Sequence, residues 1–487
     1  MNKMNKILIR LGVLATALVG LSSCDQELEP FDSKSTEAAL STPSDVQIAT
    51  YGTYSGLVHN DYTRNQHFLL EYPGDNVSLS GTTSDALYNV YNYTQFPTMY
   101  VTDNFWRQGY KTIFSANQVI ANIEDGESTQ LDQLKGENLF LRALVHFDLV
   151  RVFGRPYPQG NGENPGVVIK DGTEEEGMPS RSSVAEVYEF IINDLEKAAN
   201  LMTVEKSASY ATQEAAYALL SRVHLYKEDN EKAIEYATMV INSGRYQLLP
   251  TEQYKDYFTV APNSNAETIF AFHHTLADNR DKGAIGSMYY NDPETGSSGW
   301  GEMFASMEYV KLLNQNPADA RHSFVELQMV NGDTLMRNSV PRIYVKKYNW
   351  QDGVVNLSSP VYLRLAEMYL NRAEANAKLG NLEVAIEDIN ILRRRAGLSG
   401  DALYSLGDLH GHETVLDVVL EERRLELAFE GHRAQDLYRN MRPLVRKYRG
   451  FHGEDLFNQV IPATSPRAIQ YIPEREIVVN PNLEQNP

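Results

Sequence analysis

Eight ionisable side chains crowd one short stretch towards the C-terminus: Glu421, Glu422, Arg423, Arg424, Glu426, Glu430, Arg433 and Asp436. Two carboxyls of unequal proton affinity would make an acid/base pair able to cleave a glycosidic bond. Here the acids alternate with arginines along one helical stretch. An arginine beside a carboxylate lowers its pKa, the reverse of what a general acid needs. The run therefore reads as partly buried ion pairs that fix how helices pack, and so do Arg142, His146, Asp148 and Arg151. The close histidine pairs, His273–His274 and His410–His412, lack the i, i+4 spacing of zinc hydrolases, and no acidic set completes them. No GxSxG motif, phosphate-binding glycine loop or EF-hand-like run occurs. No catalytic residue, metal ligand or cofactor is expected, although 64 acids leave a glycosidase pair open on count alone.

The only cysteine, Cys24, can form no intramolecular disulfide. It follows Lys3, Lys6 and Arg10, an apolar run Leu11–Leu21 too short to span a bilayer, and the small Ser22 and Ser23. "LSSC" resembles a bacterial lipobox, which implies a signal peptide over 1–23 and a lipid on the Cys24 thiol; the plainer alternative is an incidental buried thiol. Acyl chains hold a soluble domain on a membrane at about 0.8 kcal/mol per buried CH₂. No other segment is long and apolar enough to cross a bilayer. Net charge is −20, more acidic still without residues 1–23, which disfavours nucleic acid as a partner.

Stepping along the chain, helical periodicity is clear from Asn104 to Ile123, from Leu134 to Phe153 (ended by Gly154 and Pro156) and from Val184 to Leu201. In the last, Ser183 and Glu186 have capping-box spacing. "SRVHLYKEDNEKAIEYATMVI" from Ser221 and "AEANAKLGNLEVAIEDINIL" from Ala373 share an Ala-Ile-Glu step after a polar turn, the pattern of stacked tetratricopeptide-type hairpins. Residues 70–102 and 245–358 lack such periodicity and are rich in Gly, Pro, Asn, Asp and Tyr; Thr268–His273 and Ile343–Tyr348 alternate like short strands. The proline-punctuated C-terminal segment is expected to lie extended over the scaffold.

"LFLRALVHFDLVRVFG" (139–154), "YLRLAEMYLNRAEA" (362–375), "INILRRRAGL" (389–398), "ERRLELAFEGHRAQDLYR" (422–439) and "IPEREIVVNPNLEQNP" (472–487) together resemble the SusD/RagB family, in the family's order. Ala434–Gln435 departs from it where many members carry an aromatic. The resemblance implies a mainly α fold, a tetratricopeptide-like helical-hairpin scaffold with long irregular insertions carrying a few short strands, as one SusD-like domain over 24–487. It implies a non-catalytic, lipid-anchored, surface-exposed outer-membrane protein of Bacteroidetes that binds oligosaccharides and delivers them to a SusC-like TonB-dependent transporter. The acidic Asp25, Glu27 and Glu29 resemble surface-export signals of such lipoproteins. A RagB-like oligopeptide binder is the alternative within the family; a surface glycosidase or esterase is a reading of a different class, and a purely structural lid that closes the transporter without touching substrate is a third.

For a glycan, the ligand candidates are aromatics in the insertions: Tyr88, Tyr91 and Tyr93, then Tyr289, Tyr290 and Trp300. A flat ring covers the C–H face of a sugar, and polar groups such as Asp75 and Asn76 in "EYPGDN" can meet its hydroxyls, because an unmatched buried polar group costs ~1–3 kcal/mol. The same rings would serve equally well to pack the insertions onto the scaffold.

Overall fold

The Ser183 hydroxyl accepts from the Glu186 amide at 3.2 Å, and the Glu186 carboxylate accepts from the Ser183 amide at 2.8 Å. This closed capping box starts the helix at Val184, as its spacing requires. The computed structural model describes residues 39–81, 86–174, 177–292, 298–452 and 455–487, so the expected signal peptide and Cys24 lie outside the described residues.

The scaffold helices are α1 (Pro43–Val58), α2 (Asn60–Glu71), α3 (Tyr100–Ala121), α4 (Thr129–Phe153), α5 (Val184–Leu201), α6 (Gln213–Lys227), α7 (Asn230–Asn242), α8 (Leu365–Leu379), α9 (Leu382–Arg395) and α10 (Val415–Glu426). From α3 to α9 each packs on its neighbours in sequence; α1 and α2 lie on α3, and α10 closes the far end against α8 and α9. None of the described helices is long and apolar enough to cross a membrane.

Helix α4 is the central pillar, buried at every position from Gln133 to Phe153. Its polar side chains are matched rather than exposed, as burial demands. Arg142 forks onto Asp194 with two bonds of 2.8 Å. Asp148 pairs with Arg151 and accepts from the Tyr62 and Tyr362 hydroxyls, both at 2.8 Å.

The two look-alike stretches are the hairpins α6–α7 and α8–α9. Their turns match residue for residue: Glu228 and Gly380 both take left-handed backbone at φ 66° and 85°, Asp229 and Asn381 are the N-caps, and Ala233 and Ala385 are fully buried. Ala233 packs with Ala375 of the other hairpin, where small side chains let helices approach.

The first insertion holds strand β1 (Val77–Leu79) and a seven-residue helix, Ala86–Asn92. Tyr88 and Tyr91 therefore sit on a helix although the stretch 70–102 shows no helical periodicity; two turns are too short for it to stand out. The second holds β2 (Thr268–Ala271), β3 (Met303–Ala305), β4 (Val325–Leu327) and β5 (Ile343–Val345), with β6 (Val361–Arg364) following. Strands β2 and β5 fall within the two alternating stretches. Pairing is antiparallel, β1 with β3 (Val77 opposite Ala305), β4 with β5 (Val325 opposite Val345) and β6 with β2.

The C-terminal segment is not wholly extended: a short helix spans Glu474–Val479. Beyond it, the Asn486 amide donates to the carbonyls of Phe153 at 2.8 Å and Gln470 at 2.7 Å, while the Gln470 amide donates to Val152 at 2.9 Å.

The C-terminal charge cluster is an ion-pair network. Glu422 lies between Arg321 at 2.6 Å and Arg393 at 2.8 Å, and Glu426 pairs with Arg364 and Arg395. Burial opposes the charge on Glu426, yet Arg395, Arg364 and Arg321 outweigh it and hold the carboxyl well below the usual range. At the Ala434–Gln435 departure, Ala434 packs with Tyr93 and Tyr438, and the Gln435 amide donates to the Arg151 carbonyl at 2.9 Å.

Candidate functional site

Of the aromatic side chains presented by the insertions, Tyr290 and Trp350 pack together and Trp300 is bonded through its backbone to the same turn, and these three make up one ledge. Tyr290 follows the single turn Gly286–Tyr289, whose N-terminal glycine has no room for a side chain; a Cβ there would lie 2.1 Å from the Tyr348 carbonyl. That close approach, with the Asn349 amide donating to the Gly286 carbonyl at 3.2 Å, brings the 348–356 segment against the Tyr290 turn.

The half-buried Tyr290 ring is then met edge-on by Tyr344 from β5 (4.9 Å, 68°) and by Trp350 (4.8 Å, 71°). Tyr344 is buried and its hydroxyl donates to the Asn291 carbonyl, so it supports the ledge from beneath. Trp350 is also half-buried, and it holds left-handed backbone at φ 61°, ψ 22°. Such a conformation costs a bulky residue ~1–3 kcal/mol and persists only where its surroundings enforce it.

Trp300 reaches the same turn. Its amide and that of Gly301 both donate to the Ser287 carbonyl, at 2.7 and 2.9 Å. Gly299 permits this, since a Cβ there would lie 2.0 Å from the Tyr290 carbonyl. The Trp300 indole N–H donates to the Lys282 carbonyl at 3.0 Å, and the ring stays 51% exposed. Arg337 clamps the far side, donating to the Trp300 and Gly301 carbonyls at 2.6 and 2.8 Å.

Cations flank both tryptophans. Lys282 Nζ sits 5.6 Å from the Trp300 ring centre and Lys346 Nζ 5.8 Å from that of Trp350. Flat apolar rings with ammonium donors over them suit a ligand that combines C–H faces with hydroxyls, and a bonded, strained ledge presents them already in place.

Of the eight sequence candidates, only Tyr290 and Trp300 are brought together here. Tyr88 is half-buried against the core. Five others are interior and committed to contacts within the protein. Tyr91 is fully buried beneath the Arg446 guanidinium, 3.7 Å from its ring centre, with its hydroxyl 3.1 Å from His452 Nδ1. Tyr93 donates to the Pro73 carbonyl and accepts from Tyr438, both at 2.6 Å. Tyr289 shares a 2.7 Å hydrogen bond with His67. Asp75 is taken up by Arg433 and Arg424, and the Asn76 side-chain Oδ1 accepts from Arg424 at 3.0 Å. Trp350 was missed, although it is one of three tryptophans and stands in a turn-rich "YNWQDG".

Residues 29–225 match a family model described as "Starch-binding associating with outer membrane", and residues 328–487 match that of the SusD family. A SusD superfamily protein from Bacteroides thetaiotaomicron is 30% identical with a TM-score of 0.83, over 92% of this chain and 100% of that one. A Bacteroides vulgatus protein described as sugar binding is 26% identical with a TM-score of 0.78, over 91% and 98%. SusD-like protein P2 of Formosa agariphila is 26% identical across 90% of this chain and 91% of its own length.

Proposed function

The chain belongs to the SusD family, and from that premise we propose that it is an outer-membrane lipoprotein that binds oligosaccharides and passes them to a SusC-like TonB-dependent barrel. The observation that carries the binding reading is the ledge of Tyr290, Trp300 and Trp350, fixed by hydrogen bonds and by glycines that admit no side chain. A pyranose lies with its C–H face on these rings, and its hydroxyls take bonds from Lys282, Lys346 and ordered water. Such binding is wet and modest. Modest affinity suffices, because holding sugar beside a pore raises its effective concentration there.

In this reading residues 1–23 are removed, lipid on Cys24 anchors one SusD-like domain over 24–487, and the protein cleaves nothing. The description of the B. vulgatus relative as sugar binding supports the ligand class. The test is calorimetry against a panel of oligosaccharides and oligopeptides. Heat from at least one sugar is expected. Heat from peptides alone replaces the reading with a peptide carrier, and shortened products after incubation with the sugars replace it with an enzyme.

A further inference from the structure

A second aromatic pocket opens on the scaffold. It encloses about 280 Å³ and is lined by Tyr51, Tyr54, Ser209, Tyr210, His273 and Asp278. Tyr51, on α1, is 42% exposed, and its ring centre lies 6.0 Å from that of Tyr210 at 45°. Tyr210 is fixed from below: Tyr54 meets it edge-on (5.4 Å, 88°), and the Tyr54 hydroxyl accepts from the Ala211 amide at 2.8 Å while donating to Glu137 at 2.9 Å. Lys206, paired with Glu137, sits 4.9 Å from the Tyr210 ring centre. Two tilted rings thus form a cleft that is built, not incidental.

Its rim is polar. Ser209 Oγ lies 2.7 Å from His273 Nδ1 and donates to Asn263 at 2.8 Å. Asp278 accepts from the Thr275 amide at 3.0 Å and hydroxyl at 2.7 Å, and those bonds hold its carboxyl below the usual range, so it stays an ionised acceptor. Burial lowers His273, so its ring is neutral at pH 7 and able to accept or donate. Aromatic faces, a carboxylate, an imidazole and a hydroxyl are the groups that a neutral sugar ring needs. The volume falls just short of the ~300–1,000 Å³ typical of pockets for drug-sized ligands, and so takes one ring rather than a folded chain.

One stretch of chain runs from the rim of the pocket to the ledge. Asp278 lines a second, smaller cavity with Arg64, Asn279 and Arg280, and two residues further on Lys282 carries the Trp300 indole. Four residue steps separate Asp278 from Lys282, at most roughly 14 Å along the chain.

We propose that the Tyr51–Tyr210 pocket is a second subsite for a neutral sugar ring, so that one oligosaccharide is gripped both there and on the ledge, with the polar strip 278–282 between. This inference rests on the reading of the chain as a glycan binder. Occupying both sites with one molecule raises affinity without any new contact, so length itself becomes a recognised feature.

The test uses maltose, laminaribiose and xylobiose with their hexasaccharides. For the series that binds, the hexasaccharide is expected to bind at least tenfold more tightly than its disaccharide, and to slow amide exchange in peptides containing Tyr51 and Tyr210 as well as in those containing Trp300. Tyr51→Ala and His273→Ala, with unchanged melting temperatures, should remove most of that tenfold advantage while leaving the disaccharide affinity as it was. A hexasaccharide that protects only the ledge peptides and binds both variants like wild type overturns the subsite and leaves the ledge standing. Binding lost with Tyr51→Ala but kept in Trp300→Ala and Trp350→Ala leaves the pocket as the binding site, removes the ledge and overturns the two-point grip. If none of the six sugars binds, both fall.

Discussion

The Arg433 guanidinium donates to both carboxylate oxygens of Asp75, at 2.8 and 3.1 Å, across 358 residues of sequence. Arg424 adds a third contact at 3.4 Å. Burial works against the Asp75 charge, but Arg424 and Arg433 prevail and hold its carboxyl well below its ordinary 3.8. Its native pKa being depressed, the stability it contributes is present above pH ~4 and lost as pH falls further. Asp75→Ala leaves two arginines without their partner and is expected to cost about 3–5 kcal/mol by urea denaturation at pH 7. A loss below 1 kcal/mol would show that the pair is unimportant to the fold.

Glu71 has the opposite sign. Burial pushes its carboxyl up to about 8, against the bond it accepts from the Gly431 amide at 2.8 Å. A raised native pKa means that its contribution is fully present below pH ~4.5 and lost as pH climbs through 8. Glu71→Gln, which cannot ionise, should gain melting temperature relative to wild type between pH 5 and pH 9. A difference between the two proteins that stays constant with pH would contradict this.

Trp300 keeps half its surface in solvent, so Trp300→Ala should melt within about 2 °C of wild type. Sugar affinity should fall roughly 30-fold, about 2 kcal/mol, as expected for a central aromatic contact. Calorimetry and thermal melts on the same preparation separate the two effects.

Gly299→Ala tests how the ledge is built. Its Cβ would lie 2.0 Å from the Tyr290 carbonyl, and backbone must shift to admit it. The expected cost is about 1–3 kcal/mol of stability together with reduced sugar binding. Full binding by this variant would mean that Trp300 and Tyr290 need not be held together.

Cys24→Ser removes the only thiol. The variant should leave the membrane fraction on cell fractionation and lose the mass added by acyl chains. Wild-type membrane association in the variant would rule out the anchor.

The scaffold was legible because long amphipathic helices announce themselves. Val184–Leu201 has its capping box, and the two hairpins share their turn and their buried alanine. The ion-pair reading of the acidic and basic run followed from the alternation of sign, and Glu422 and Glu426 are paired accordingly. The ledge was only half legible. Tyr91, Tyr93 and Tyr289 look like Tyr290 in sequence, yet contacts distant along the chain, with His452, Tyr438 and His67, draw them inward. Trp350 escaped notice because its presentation depends on a left-handed residue and on a glycine more than sixty positions earlier.

Asn486 closes the end of α4 by bonding the Phe153 carbonyl. The pillar formed by residues 129–153 is therefore completed only by a residue 333 positions further along the chain. Contacts of such sequence separation are slow to form, because loop closure must precede any gain. A chain in which Asn486 has not yet docked is thereby kept pliable, and a substitution there would be felt at the end of α4.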